Sequence, residues 1–540
     1  MSPPGMLCVT MQPRPELPEA QFHEWYNNEH GPTRLRLPQI FTNGLRYRQI
    51  DGKEPTYLAA YDVTAMSHLE TETYTTLRAN RSPREAQTIG QVAVNRYFWD
   101  LVQSKESPLF LPIEKMTNDE AEGVTLVVVQ IELKGDEAKA EAEVVKWYKE
   151  EHIDMLSKVP GWLRSRVFKT STLESGGATY IWGLHDYAKE NGLGGEEFKA
   201  ATSTPWKEEL MAKHAAIKDR RVYSLFYVFG PAPRDLSSLS QLPAESSTFK
   251  ASDNKTTTTN QPKPVITSYI TTPDGLIIPY RLEGNPDPNA PVIAFCNSLL
   301  TSLHMWDKFV DILKAKRPQY QILRYDTRGR HSIPSPTPVT LDKVSDDLSY
   351  TLEALSIPKL DTLIGVSMGG ATTLKFALKY PEKLGKFIAC DFNVASSAAN
   401  TDAWKGRISM AETPLDDGKP GITKLAGQTV ERWFHPDTMK KTDTVQWITE
   451  QVATNDIEGF RYGCQALWEY NMKTEMKECK VPGRLVVGEG DGKGALVKAM
   501  DGFKGNVGSK GTELAVVPGA GHLPMCENPE GFWEAVESFL

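Results

Sequence analysis

The chain has 540 residues, more than one hydrophobic core usually serves, so two to four domains are expected. Its 40% hydrophobic and 24% charged residues are those of an ordinary soluble globular protein. Lys+Arg 61 against Asp+Glu 69 leaves a net charge of −8 with no basic stripe, so nucleic acid is not an expected partner.

The start, MSPPGMLCVTMQPRPELPEAQF, has no charged segment ahead of an apolar run, and no stretch reaches 18 uninterrupted apolar residues. Neither a leader nor a membrane span is expected. The six cysteines are scattered without a CxxC pair, which points to reduced, buried thiols and a cytoplasmic protein.

From the first residues onward the chain repeats itself. MLCVTMQP (6–13) and VTLVVVQIEL (124–133) read as strands, and each precedes a helical stretch, carrying WYNNEH (25–30) in one case and WYKEEH (147–152) in the other. Strands GLRYRQI (44–50) and TYLAAYDV (56–63) follow the first motif; WLRSRVFK (162–169) and ATYIWGLHDY (178–187) follow the second. A further helix then leads to NRYFWDLV (95–102) or RVYSLFYVFG (221–230). Each unit therefore reads β-α-β-β-α-β, the ferredoxin-like order, over residues 1–115 and 116–232. Each sheet has an open face to bury, and two in tandem bury theirs against each other as a barrel within one chain. On F-x-x-WYxxEH and the following GLRYR, this half resembles the EthD-like branch of the dimeric α+β barrel superfamily.

That resemblance implies either an accessory domain or a cofactor-free decarboxylase or dehydratase in which His30 or His152 is the acid/base. The bland reading, in which Trp, Tyr and His pack the helix to the sheet, is favoured. Metal ligation is not supported: each motif helix offers one histidine, and His23, seven residues before His30, has no accompanying carboxylate–histidine set.

Residues 233–264, rich in Ser, Thr, Pro and Asn, read as a flexible linker. Beyond it, residues 265–540 alternate strands (268–272, 276–284, 291–298, 321–327, 361–367, 386–393, 484–490, 513–519) with helical stretches, a doubly wound α/β pattern. The helical stretch 394–480 after the sixth strand is placed to form a cap.

The chemistry points to this second half. Gly365-Val366-Ser367-Met368-Gly369 follows an apolar strand and precedes a helix, the context of a nucleophile elbow in an α/β hydrolase. There the order is serine, acid, histidine, so His522, after the last strand, is the expected base. The acid is Asp491, after the penultimate strand, or its rival Asp391 one strand earlier. The backbone N–H groups of Met368 and Leu299 are the expected oxyanion donors.

FCNSLLTSLHMWD, ILRYDTRGR, GVSMGG and GAGHLPMCENPEGF together resemble the 3-oxoadipate enol-lactonase group of α/β hydrolases. The resemblance implies a Ser367–Asp491–His522 triad acting on a small-molecule lactone or ester without a cofactor, and a pocket walled by Trp404, Arg407, Trp433 and Trp468. Two departures bear on the substrate. Leu300 replaces a glycine and is expected to narrow the mouth, and Gly329-Arg330-His331 stands where the group has GHG. Three functions compete: a hydrolase with an accessory barrel, a bifunctional enzyme, and a non-catalytic receptor using the hydrolase pocket.

Overall fold

The computed structural model describes residues 2–116, 118–174, 177–245 and 248–540. The chain divides into two compact units, Met1–Pro233 with Lys250–Asn254, and Arg234–Phe249 with Lys255–Leu540.

The first unit is a closed barrel of eight strands: β1 (Gly5–Pro13), β2 (Leu45–Gln49), β3 (Tyr57–Val63), β4 (Val92–Glu106), β5 (Thr125–Leu133), β6 (Trp162–Thr170), β7 (Tyr180–Tyr187) and β8 (Ala215–Val228). Their order is β1-β3-β2-β8-β5-β7-β6-β4, and every neighbouring pair is antiparallel. The four strands of each half share one local order, fourth-first-third-second. The halves are joined at two seams, β2 on β8 and β4 on β6.

Alternation along the strands sorts the core. Met6 and Cys8 of β1 pack with Leu126 and Val128 of β5, in a cluster drawn from both halves. Leu7, Val9 and Met11 point the other way, onto Phe22, Trp25 and Tyr26 of the first helical layer. Val127 and Ile131 do the same beneath Val144, Trp147 and Tyr148 of the second. Each WYxxEH motif lies in this layer, between helix and sheet, not inside the barrel. Its helix widens there: Gly31 N–H donates to Tyr26 O and Ile153 N–H to Tyr148 O, a five-residue reach in place of four.

The second unit is built on a ten-stranded sheet of β9 (Thr248–Lys250), β10 (Thr257–Thr259), β11 (Val265–Thr271), β12 (Ile277–Gly284), β13 (Val292–Cys296), β14 (Gln321–Tyr325), β15 (Leu360–Val366), β16 (Leu384–Cys390), β17 (Gly483–Gly488) and β18 (Glu513–Val517). The order is β18-β17-β16-β15-β13-β14-β12-β11-β10-β9. From β14 through β18 the pairing is parallel, and the order reverses around β13. A crevice for ligands opens at the carboxyl ends of strands flanking such a reversal. Helices Ala398–Glu412, Ile422–Trp433, Thr442–Ala453 and Ile457–Gly463 intervene between β16 and β17, over the expected cap.

The stretch expected to be a flexible linker is partly built structure. It holds the helix Leu236–Ser240, capped by Asp235, and the strands β9 and β10. Composition misleads here because threonine's branched Cβ suits a strand as well as a loop. Thr258, paired with Ile266, is 1% exposed.

All six cysteines are unpaired and buried. Among the described residues no helix is long and apolar enough to cross a membrane.

Candidate active site

Ser367 sits between β15 and the helix Met368–Lys379 at φ 60, ψ −120, a left-handed conformation that costs a non-glycine residue on the order of 1–3 kcal/mol. Two glycines make the turn possible. A Cβ on Gly369 would lie 2.1 Å from the carbonyl oxygen of Cys296, and one on Gly365 2.2 Å from that of Gly369. Ser367 N–H donates to Cys390 O at 2.9 Å, which ties the elbow to the next strand.

His522 follows β18. Its Nδ1 lies 2.7 Å from Asp491 Oδ2, and its backbone N–H donates to Trp433 O at 2.7 Å. The Trp433 ring lies against the imidazole with centroids 5.5 Å apart. The loop carrying His522 is pinned by Glu527, which is absent from the residues singled out in the sequence. This buried carboxylate accepts from the backbone N–H groups of Gly521 (3.0 Å), Leu523 (3.1 Å) and His435 (2.8 Å). Burial nevertheless pushes its pKa above the usual carboxylate range.

The two candidate acids lie side by side. One oxygen each of Asp391 and Asp491 and one nitrogen of His522 fall within 4.8 Å of one another. Asp391 is fully buried at φ 46, and its Oδ1 accepts from Gly488 N–H at 2.8 Å. Burial first, and then the neighbouring Asp491 carboxylate, push the Asp391 carboxyl well above its usual range, which favours its protonated form. The hydrogen bond to the imidazole is made by Asp491.

Ser367, His522, Asp491, Leu299, Trp404, Arg407 and Trp433 all line one cavity of about 440 Å³. Met368 is fully buried behind the serine. Trp468, expected in the same wall, lines a different cavity with Lys375 and Glu475, although its neighbours Leu467 and Tyr470 line this one.

Arg432 is a lining residue that the sequence reading passed over in favour of its neighbour Trp433. Burial and the like charge of Arg407 push its pKa down to about 10. Arg407 itself stacks over Trp404 at 4.4 Å. Neither arginine makes an ion pair within 4 Å among the described residues, although the Asp491 carboxylate in the same cavity favours the charged form of Arg432.

The departures at 300 and 329–331 take structural roles. Leu300 adopts φ +71, which explains a glycine as the usual occupant; it is buried, and Leu299 is the residue that lines the cavity. Gly329, at φ +96, packs against the backbone of Gly463 in the cap. Arg330 is buried and donates to Gln451 O and to Thr454 Oγ1 (2.7 Å) at the end of the helix Thr442–Ala453. His331 bonds Asp326 at 2.7 Å.

Residues 291–412 match the alpha/beta hydrolase fold family. 3-Oxoadipate enol-lactonase 1 of Acinetobacter baylyi is 30% identical over 278 residues, covering 50% of this chain and 96% of that protein. 3-Oxoadipate enol-lactonase 2 of the same organism is 28% identical over 263 residues, covering 48% and 92%. The crystal structure of the enol-lactonase from Burkholderia xenovorans LB400 aligns at 26% identity and a TM-score of 0.44, covering 50% of this chain and 98% of that one. Through its second half, the chain belongs to the α/β-hydrolase family and is related to the 3-oxoadipate enol-lactonases.

Proposed function

We propose that the second unit hydrolyses a small ester or lactone that carries a carboxylate, with Ser367 as nucleophile, His522 as general base and Asp491 as the acid that orients it. The observation that carries this reading is a single cavity lined by the strained serine, a histidine bonded to an aspartate, and two unpaired arginines. The Asp491 bond to Nδ1 leaves Nε2 to take the proton from Ser367 as its oxygen attacks the carbonyl. The imidazolium then gives that proton to the leaving oxygen, which in a lactone stays tethered to the acyl group. Water deprotonated by the same nitrogen releases the acid. The N–H groups of Met368 and Leu299 receive the oxyanion, each worth about 3 kcal/mol of barrier lowering. Asp391, held protonated beside Asp491, is suited to steadying that carboxylate, not to replacing it.

Arg407 and Arg432 select the substrate's carboxylate. A charged hydrogen bond in a partly desolvated site is worth about 1.5–3 kcal/mol, or tenfold and more in binding. Turnover of a carboxylated aryl ester or lactone is to be compared with that of its neutral counterpart. Arg407→Ala and Arg432→Ala should each raise KM about tenfold for the charged substrate and leave the neutral one nearly unchanged. Equal effects on both substrates would contradict the assignment.

For the barrel, we read each half as a ferredoxin-like, EthD-like repeat accessory to the hydrolase. The common strand order and the matching wide helical turns at the two WYxxEH motifs support this.

A further inference from the structure

The second half of the barrel unit contains a cavity of about 60 Å³, between the outer face of β5, β7 and β8 and the helical layer. Two polar atoms in its lining, His185 Nε2 and Tyr187 Oη, are buried without a hydrogen-bond partner among the described residues. Such orphans are few in folded proteins, and two in one cavity point to a ligand that completes them.

Hydrogen bonding accounts for Nδ1 of each histidine. Trp162 Nε1–H donates to Ser165 Oγ at 2.9 Å, and Ser165 Oγ lies 2.8 Å from His185 Nδ1. The serine accepts from the indole and keeps both a second lone pair and its own proton for Nδ1, so the contact satisfies Nδ1 in either tautomer and leaves His185 Nε2 as the unpaired ring atom. His152 Nδ1 lies 3.0 Å from the Ala201 carbonyl, which only accepts, so that ring protonates Nδ1 and presents a lone pair at Nε2. Burial holds both imidazoles down to about 3, so both are neutral. The site thus combines an unpaired imidazole nitrogen, a phenol donor and a ring acceptor. Lys207 and Arg220 complete the lining, and neither has an anionic partner among the described residues.

The first half lacks this arrangement. His30 Nδ1 is bonded to Glu85 at 2.6 Å, and the corresponding cavity is only about 20 Å³.

We propose that the cavity of the second half binds a short keto or hydroxy acid. Its carbonyl or hydroxyl oxygen is seated at Tyr187 O–H beside His185 Nε2, its hydroxyl proton where present goes to His152 Nε2, and its carboxylate lies at Lys207 and Arg220. Calorimetric titration of the full-length chain with acetoacetate tests this, with butyrate as a carboxylate of equal chain length lacking the ketone oxygen. Acetoacetate should bind about tenfold more tightly than butyrate, because a site with buried donors rejects an analogue that leaves them unpaired. Tyr187→Phe removes only an unpaired hydroxyl, so its melting temperature should be unchanged or higher. That variant, and His185→Gln, should weaken acetoacetate binding several-fold while leaving butyrate unaffected. Absence of acetoacetate binding, equal affinity for the two acids, or undiminished binding by Tyr187→Phe overturns the proposal.

Discussion

Ser367 and Asp391 both stand at positive φ at the carboxyl ends of adjacent strands, and both are held there by backbone hydrogen bonds. Conformational strain at two neighbouring positions around one cavity is characteristic of a functional site. Asp391 adds an electrostatic cost. Its folded-state pKa is raised, so above its usual value of 3.8 the unfolded chain loses a proton that the folded chain keeps. Its contribution to stability therefore falls as pH rises from that value toward the raised one. Asp391→Asn keeps an oxygen for Gly488 N–H and an N–H donor in place of the acid proton. Its melting temperature should exceed that of the wild type at pH 7 to 8, with the difference shrinking toward pH 4; a gain independent of pH would contradict a protonated Asp391. At this scale Ser367 and His522 were legible because their motifs encode a turn and a chain position. Glu527 and Arg432 were not. Glu527 acts through three backbone N–H groups that only the folded loop brings together, and Arg432 is told from a surface arginine only by the helix face it occupies.

Among the elements, the strands of both units were legible wherever apolar residues alternate or run together, and the duplicated helices followed from WYxxEH. β9 and β10 were not, because they are three residues each and polar, and their pairing depends on a distant partner in the sheet. The cap helices were legible as a block, but not the residue that fastens them. Arg330 places a guanidinium at the carboxyl end of the helix Thr442–Ala453, where carbonyls lack intrahelical partners and the dipole favours a cation. Arg330→Ala should cost about 2 kcal/mol, the worth of a buried charged hydrogen bond, measured as a shift in denaturant midpoint at constant slope. A change below about 0.5 kcal/mol, the level of an exposed pair, would remove this role from Arg330.

For the whole molecule, every residue lining the cavity at Ser367, from Leu299 to His522, belongs to the second unit. A chain beginning at Arg234, which keeps the whole second unit, should therefore retain turnover of a soluble ester within a few-fold of the full chain. Loss of turnover by a folded chain of that length would mean that the barrel contributes directly to hydrolysis. The barrel itself was legible from the 122-residue offset of its motifs, which brought its two halves into register. The difference between those halves was not, since the orphaned groups at His185 and Tyr187 have no counterpart in the repeated signature.

The central claim is that Ser367 is an activated nucleophile served by His522. Labelling the full-length chain with a fluorophosphonate and locating the adduct by mass spectrometry tests it most directly. A single adduct on Ser367 is expected, absent in Ser367→Ala and formed at least about a hundredfold more slowly in His522→Ala, the scale of general-base assistance. An unlabelled Ser367, or labelling at full rate without His522, would contradict it.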